Sequence, residues 1–224
     1  MQISTDSARR RFISTAIIAA TLLGALAGPA HAVDITINKT GNFSWSWSSS
    51  NNIQYGSNRT KGSGVVKDAS RPVEKFSRLM LALPATVTIV QGPTESLTIS
   101  TDDNLLPLMS TRVENDELII EADKNRGFST KEGIKIRLTV KSLNGIKISG
   151  SGDVIGDQLQ SDKLDILIAG SGDVKFKSIR ADQFTIGIKG SGDVAIDALT
   201  SKSVDASIHG SGDIKLPSDR RAHV

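Results

Sequence analysis

Polar and apolar positions alternate along most of the chain from Val73 onward. The runs TVTIVQG, ESLTIST, DELIIEAD and IKIRLTV are short and largely place apolar residues at every second position, the period of a half-buried β-strand. In VENDELII, Asn115-Asp116 separates two such runs and marks a turn. No segment sustains helical spacing; DDNLLPLM has room for one helical turn, which Pro107 limits. The pattern predicts an all-β fold.

A second, longer period is laid over the first. GSGDV stands at 150–154, 170–174 and 190–194, and GSGDI at 210–214, always twenty residues apart. Aligned on this motif, Ile146, Ile166, Ile186 and Ala206 share a column, and Ile148, Ile168, Ile188 and Ile208 share the next. Val154, Val174, Val194 and Ile214 follow the motif; Leu159, Ile179 and Leu199 align further on, as do Leu164, Phe184 and Val204. Strands and turns recurring at a fixed interval fit a coil whose turns stack ~4.8 Å apart with their apolar columns forming the core. The handedness of parallel crossovers makes that coil right-handed. The expectation is a right-handed parallel β-helix, irregular up to about residue 140 and built of regular 20-residue rungs in the C-terminal half.

In such a coil GSGD is a corner. Gly150, Gly152, Gly170, Gly172, Gly190, Gly192, Gly210 and Gly212 supply positive φ or room for close backbone approach. The serines between them can bond the corner backbone, and each aspartate can accept from a neighbouring N–H. Asp153, Asp173, Asp193 and Asp213 form a ladder of like charges, each pair repelling by about 1 kcal/mol at roughly 5 Å in water. Lys175 and Lys215, two residues past their aspartates, lie on the same outward side, and Asp157, Lys177 and Asp197 alternate in sign. A calcium ion is the alternative neutraliser of the ladder, although the G-G-x-G-x-D calcium repeat is absent. The structural corner is the preferred reading, with no cofactor.

The N-terminal third differs in composition. Residues 1–32 combine Arg9, Arg10 and Arg11, an apolar run from Phe12 to Ala27 and an A-x-A end at Ala30–Ala32, the pattern of a secretory signal peptide cut before Val33. A Sec signal is the simpler reading, although the arginines with Phe12 and Ile13 also resemble a twin-arginine signal. Removing 32 of 224 residues leaves 192, and the net charge drops from +3 to +1. The basicity therefore sits largely in the signal, and no nucleic-acid partner is expected. The chain has no Cys, so disulfides and a lipidated-Cys anchor are excluded. Export as a soluble periplasmic or extracellular protein follows, with no membrane span after cleavage.

Residues 33–72 are rich in Ser, Asn, Gly and Thr and are expected to be a polar flexible arm. Phe43, Trp45 and Trp47 alternate with serines as an aromatic strip. The strip is either a strand docking over the open end of the fold or a surface that stacks on sugars or a partner. The expected β-helical domain spans 73–217, followed by a polar tail at 218–224.

FSRLMLALPATVTIVQGPTESLTISTDDNLLPLM, followed by DELIIEA, IKIRLTV and LNGIKISGSGDV with its repeats, resembles the bacterial family of auto-transporter adhesin head GIN domains, of unknown function, over about residues 73–216. The resemblance implies an exported β-helical domain and brings no catalytic residues. A membrane barrel is not expected after KLPSDRRAHV.

Without Cys, thiol catalysis is excluded, and the two histidines of the mature chain, His209 and His223, are too few for a multi-histidine metal site. His209 stands where the other repeats carry Ser149, Ala169 and Lys189, a variable outward position. The expected function is a non-enzymatic, adhesin-like or structural module of the cell envelope, with a glycan or protein partner. Self-association through the β-helix ends is a further expected contact. The alternative is a carboxylate-dependent, lyase-like enzyme acting on polysaccharide, for which Arg180 and Lys189 are the basic candidates.

Overall fold

A computed structural model describes residues 33–37, 43–47, 59–123 and 126–217. The chain divides into two units, Met1–Asn52 and Ile53–Val224. In the first, β1 (Val33–Ile37) and β2 (Phe43–Trp47) pair antiparallel, with Ile35 opposite Trp45.

Among its described residues the second unit is all-β apart from a 3-10 turn at Leu106–Leu108, with Pro107 inside it. Its strands begin with β3 (Arg59–Lys61), β4 (Val66–Arg71), β5 (Arg78–Ala82), β6 (Thr86–Gln91) and β7 (Ser96–Asp102). After the 3-10 turn come β8 (Met109–Glu114), β9 (Glu117–Ala122), β10 (Gly127–Ser129), β11 (Lys135–Val140) and β12 (Gly145–Gly150). Three long strands, β13 (Asp153–Gly170), β14 (Val174–Gly190) and β15 (Val194–Gly210), and the short β16 (Ile214–Lys215) complete it. The main sheet is nearly closed and barrel-like.

The twenty-residue period is a register. Val154 pairs with Val174 and Val174 with Val194; Leu164, Phe184 and Val204 pair in series, as do Ile168, Ile188 and Ile208. All these strands run parallel. Inward residues of the first two repeats are fully buried, Leu164 and Ile168 at 0% exposure and Phe184 at 1%. At β15 the same columns emerge, with Val204 at 45% and Ile208 at 43%, because among the described residues nothing stacks beyond it except β16 against Val194 and Ala195.

The N-terminal half departs from a simple coil. β4 with β7, β7 with β11, and β8 with β9 are antiparallel. Asn115 (φ 51°) and Asp116 (φ 64°) form the two-residue turn of the last pair, the positive-φ geometry that tight hairpins favour. Stacking order also departs from chain order. β5 and β6 lie between β9 and β11 on one side and β12 and β13 on the other. Polar residues 59–71, expected within the arm, instead form β3, which pairs with β10, and β4, which pairs with β7.

Asp102 fixes that segment. Its side chain is buried and accepts from Gly64 N at 2.6 Å and from Thr130 Oγ1 at 2.5 Å. Neighbouring Asp103 accepts from the Ser63 hydroxyl at 2.6 Å, and Asn104 donates to the Lys61 carbonyl at 2.8 Å. Both aspartates are held below the ordinary carboxylate range, Asp102 first by the Thr130 hydroxyl and then by the Gly64 N–H, Asp103 first by the Ser63 hydroxyl.

Candidate functional site

The GSGD corners are built as tightly as their glycines require. Gly150, Gly170, Gly190 and Gly210 have φ between 121° and 152°. At the second glycine the constraint is space: a Cβ on Gly172 would stand 2.0 Å from the Gly152 carbonyl oxygen. Ser171, Ser191 and Ser211 donate backbone N–H to the glycine carbonyl one repeat back, at 2.8–2.9 Å. The first corner stacks on Leu83-Pro84-Ala85 instead, with Asp153 N donating to the Ala85 carbonyl.

The aspartate ladder is absorbed by this architecture. Asp153 Oδ1 accepts from Asp173 N at 3.0 Å, Asp173 Oδ1 from Asp193 N at 3.0 Å, and Asp193 Oδ1 from Asp213 N at 2.8 Å. The first three carboxylates therefore each bind the backbone of the next, which compensates part of the like-charge repulsion. Lys175 Nζ lies 3.5 Å from Asp173 Oδ2, and Lys177 Nζ 2.6 Å from Asp157 Oδ1, as the columns predict. No group of three or more acidic or histidine side chains suited to a metal occurs among the described residues.

Other sequence candidates do not converge. His209 is exposed and pairs in register with Lys189. Arg180 pairs in register with Gln160 and Thr200, two positions before Asp182, whose ion-pair partner is Lys202. For Phe43, Trp45 and Trp47 only the backbone of β2 is described, and their side chains lie outside the described residues.

What residue patterns missed is an outward groove on the half of the sheet made by β7, β11, β6 and the first residues of β13–β15. One depression of about 760 Å³ runs over Thr88, Ile155, Lys175 and Ala195, with Asp157 and Lys177 along one side. A second, of about 500 Å³, continues it over Thr98, Ser100, Lys135 and Arg137. Thr88 and Ile155 line both, so the two depressions adjoin there. Register explains the lining. Thr98, Arg137, Thr88, Ile155, Lys175 and Ala195 are successive partners across six strands, and their side chains share the outward face. Part of the floor depends on Gly156, where a Cβ would meet the Phe176 ring at 2.3 Å.

Charge within the groove is unevenly satisfied. Lys175 and Lys177 have carboxylate partners. Lys135 and Arg137 are exposed and have none within ion-pair distance among the described residues. On the other outward half, Lys147 is half-buried; burial holds its ammonium below the usual lysine range, against the raising effect of Glu117.

Fold and groove place the chain among all-β domains that offer a binding-type surface. Residues 75–218 match the family described as "Putative auto-transporter adhesin, head GIN domain", and the chain belongs to that family. Its description is of an adhesin, not of an enzyme. A putative adhesin from Parabacteroides distasonis shares 20% identity with it, over 70% of this chain and 76% of its own, at a TM-score of 0.54. A putative lipid binding protein from the same organism shares 21%, over 70% and 76%, at 0.52. Both are likenesses of fold. No curated protein matches the chain. Among the described residues, no helix is long and apolar enough to cross a membrane.

Proposed function

We propose that the protein is an exported, non-enzymatic binding module of the bacterial cell envelope that holds an extended glycan in the groove across β7, β11, β6 and β13–β15. The observation that carries this reading is that the two adjoining depressions follow one row of successive partners from Thr98 to Ala195. Its lining alternates hydroxyls and charges with a small apolar patch at Ile155 and Val90, 37% and 43% exposed. Hydroxyls that both donate and accept suit a polyhydroxylated chain, and an apolar patch suits the C–H faces of its sugars. A lipid, the ligand in one relative's description, fits less well, because charged columns flank so small an apolar patch. The signal-peptide pattern of residues 1–32 supports export to the periplasm or exterior. The in-register parallel repeats support reading the C-terminal half as rungs of a right-handed parallel β-helix.

The test is a glycan and peptidoglycan binding screen of chain 33–224 beside its Ile155→Arg variant. Binding that Ile155→Arg abolishes while the melting midpoint holds supports the reading. Hydrolysis or elimination of a bound glycan, or binding unmoved by the substitution, overturns it.

A further inference from the structure

We infer that Lys135 and Arg137 are the anion-recognising subsite of this groove and that the glycan it takes is acidic, carrying carboxylates along its length. The inference rests on the groove reading above and adds the chemistry of its ligand.

Lys135 and Arg137 stand two positions apart on β11, so both point outward on one face, with backbones about 7 Å apart. Hydroxyls flank each of them on the adjacent strands. Lys135 pairs with Ser100 on β7 and Thr86 on β6, and Arg137 with Thr98 and Thr88. Both cations are exposed and, among the described residues, lack the carboxylate partners that Lys175 and Lys177 possess on the same face. A guanidinium and an ammonium left open, each between two hydroxyls, match a carboxylate with neighbouring sugar hydroxyls.

The surroundings choose between anions. Asp68, which lines the same depression, pairs with Ser100 on one side, and Asp153 pairs with Thr86 on the other, so a carboxylate stands two strands from Lys135 in each direction. That field disfavours a doubly charged phosphate more than a singly charged carboxylate. The two cations are also spread along the strand, not converged on one point. This spacing suits separate single charges on a polymer that crosses β11 in the groove, one cation reaching it from each side of its path.

The experiment is calorimetric titration of chain 33–224 with polygalacturonate, with neutral dextran, and with polyglutamate as a polyanion without sugar. The expected result is that polygalacturonate binds best and that its affinity falls as salt rises. The double variant Lys135→Gln/Arg137→Gln should lose about tenfold or more of that affinity, the scale of one lost charge-assisted contact. Lys135→Arg should retain it, and Lys189→Gln, on the other half of the sheet, should leave it unchanged. Melting midpoints of all variants should match the parent. Equal binding of polyglutamate, or polygalacturonate affinity unmoved in the double variant, overturns the inference. Dextran bound in the groove, lost in Ile155→Arg, with no preference for polygalacturonate, overturns the anionic subsite alone. Failure of every glycan to bind overturns the groove reading with it.

Discussion

At the scale of single residues, the two glycines of each motif do different work, and substitution separates them. Gly150 has φ 121° with open space at its Cβ position, whereas a Cβ on Gly172 would strike the Gly152 carbonyl. Gly150→Ala should cost about 1 kcal/mol of backbone strain. Gly172→Ala should cost about 3 kcal/mol, because neither backbone can move without dragging its neighbours in the stack. Urea denaturation midpoints give the ranking, and a loss at Gly150 with little or none at Gly172 would show that φ alone matters. Asp102 sets a pH dependence. Its folded pKa is depressed by Thr130 and Gly64, as is that of Asp103 by Ser63. Their stabilisation is therefore full above the unfolded carboxylate value of about 3.9 and is lost as pH falls through the lower folded values. Thermal melts of the parent should fall steeply below about pH 4, and Asp102→Asn should start from a lower midpoint and fall less over that range. Neither residue's role was legible in STDDN. The pattern marks a turn there, but the partners of Asp102 come from Gly64 and Thr130, 38 and 28 residues away.

At the scale of the element, each twenty-residue repeat is one long strand and a corner, and its columns lose cover towards β15. Phe184→Ala should cost about 3–5 kcal/mol as a buried cavity. Val204→Ala, in the same column but 45% exposed, should cost under about 1 kcal/mol. A similar cost at both positions would mean that something covers β15. The aspartate ladder behaves as a backbone cap. Asp173→Ala removes the acceptor of Asp193 N and should cost about 1 kcal/mol, while Asp173→Asn keeps an acceptor oxygen and should cost less. Calcium at millimolar concentration should leave the melting midpoint unchanged; a rise lost in Asp173→Asn would restore the cation reading. These columns are legible in the sequence, because residues twenty apart carry like side chains. The outward face of IKIRLTV was legible too, as Lys135, Arg137 and Thr139. Their neighbours were not: β6 and β7 carry no repeat that would announce their place beside β11.

At the scale of the whole molecule, the same physics explains both what was readable and what was hidden. Alternation fixes which side of each strand faces the core, since burying the apolar side is a local requirement of every strand. The repeat fixes the pairing of β13, β14 and β15, because identical columns satisfy one another only when stacked in register. The sequence by itself therefore determined an all-β chain, its inward columns, its corners and its C-terminal ladder. Tertiary structure alone decided that β5 and β6 sit between strands that follow them in the chain, and that β4 and β7 join antiparallel. It alone brought Arg137 beside Thr98 and Thr88 in one groove. Those choices depend on which distant surfaces cover one another best, a competition among long-range contacts for which no local pattern along the chain carries a mark.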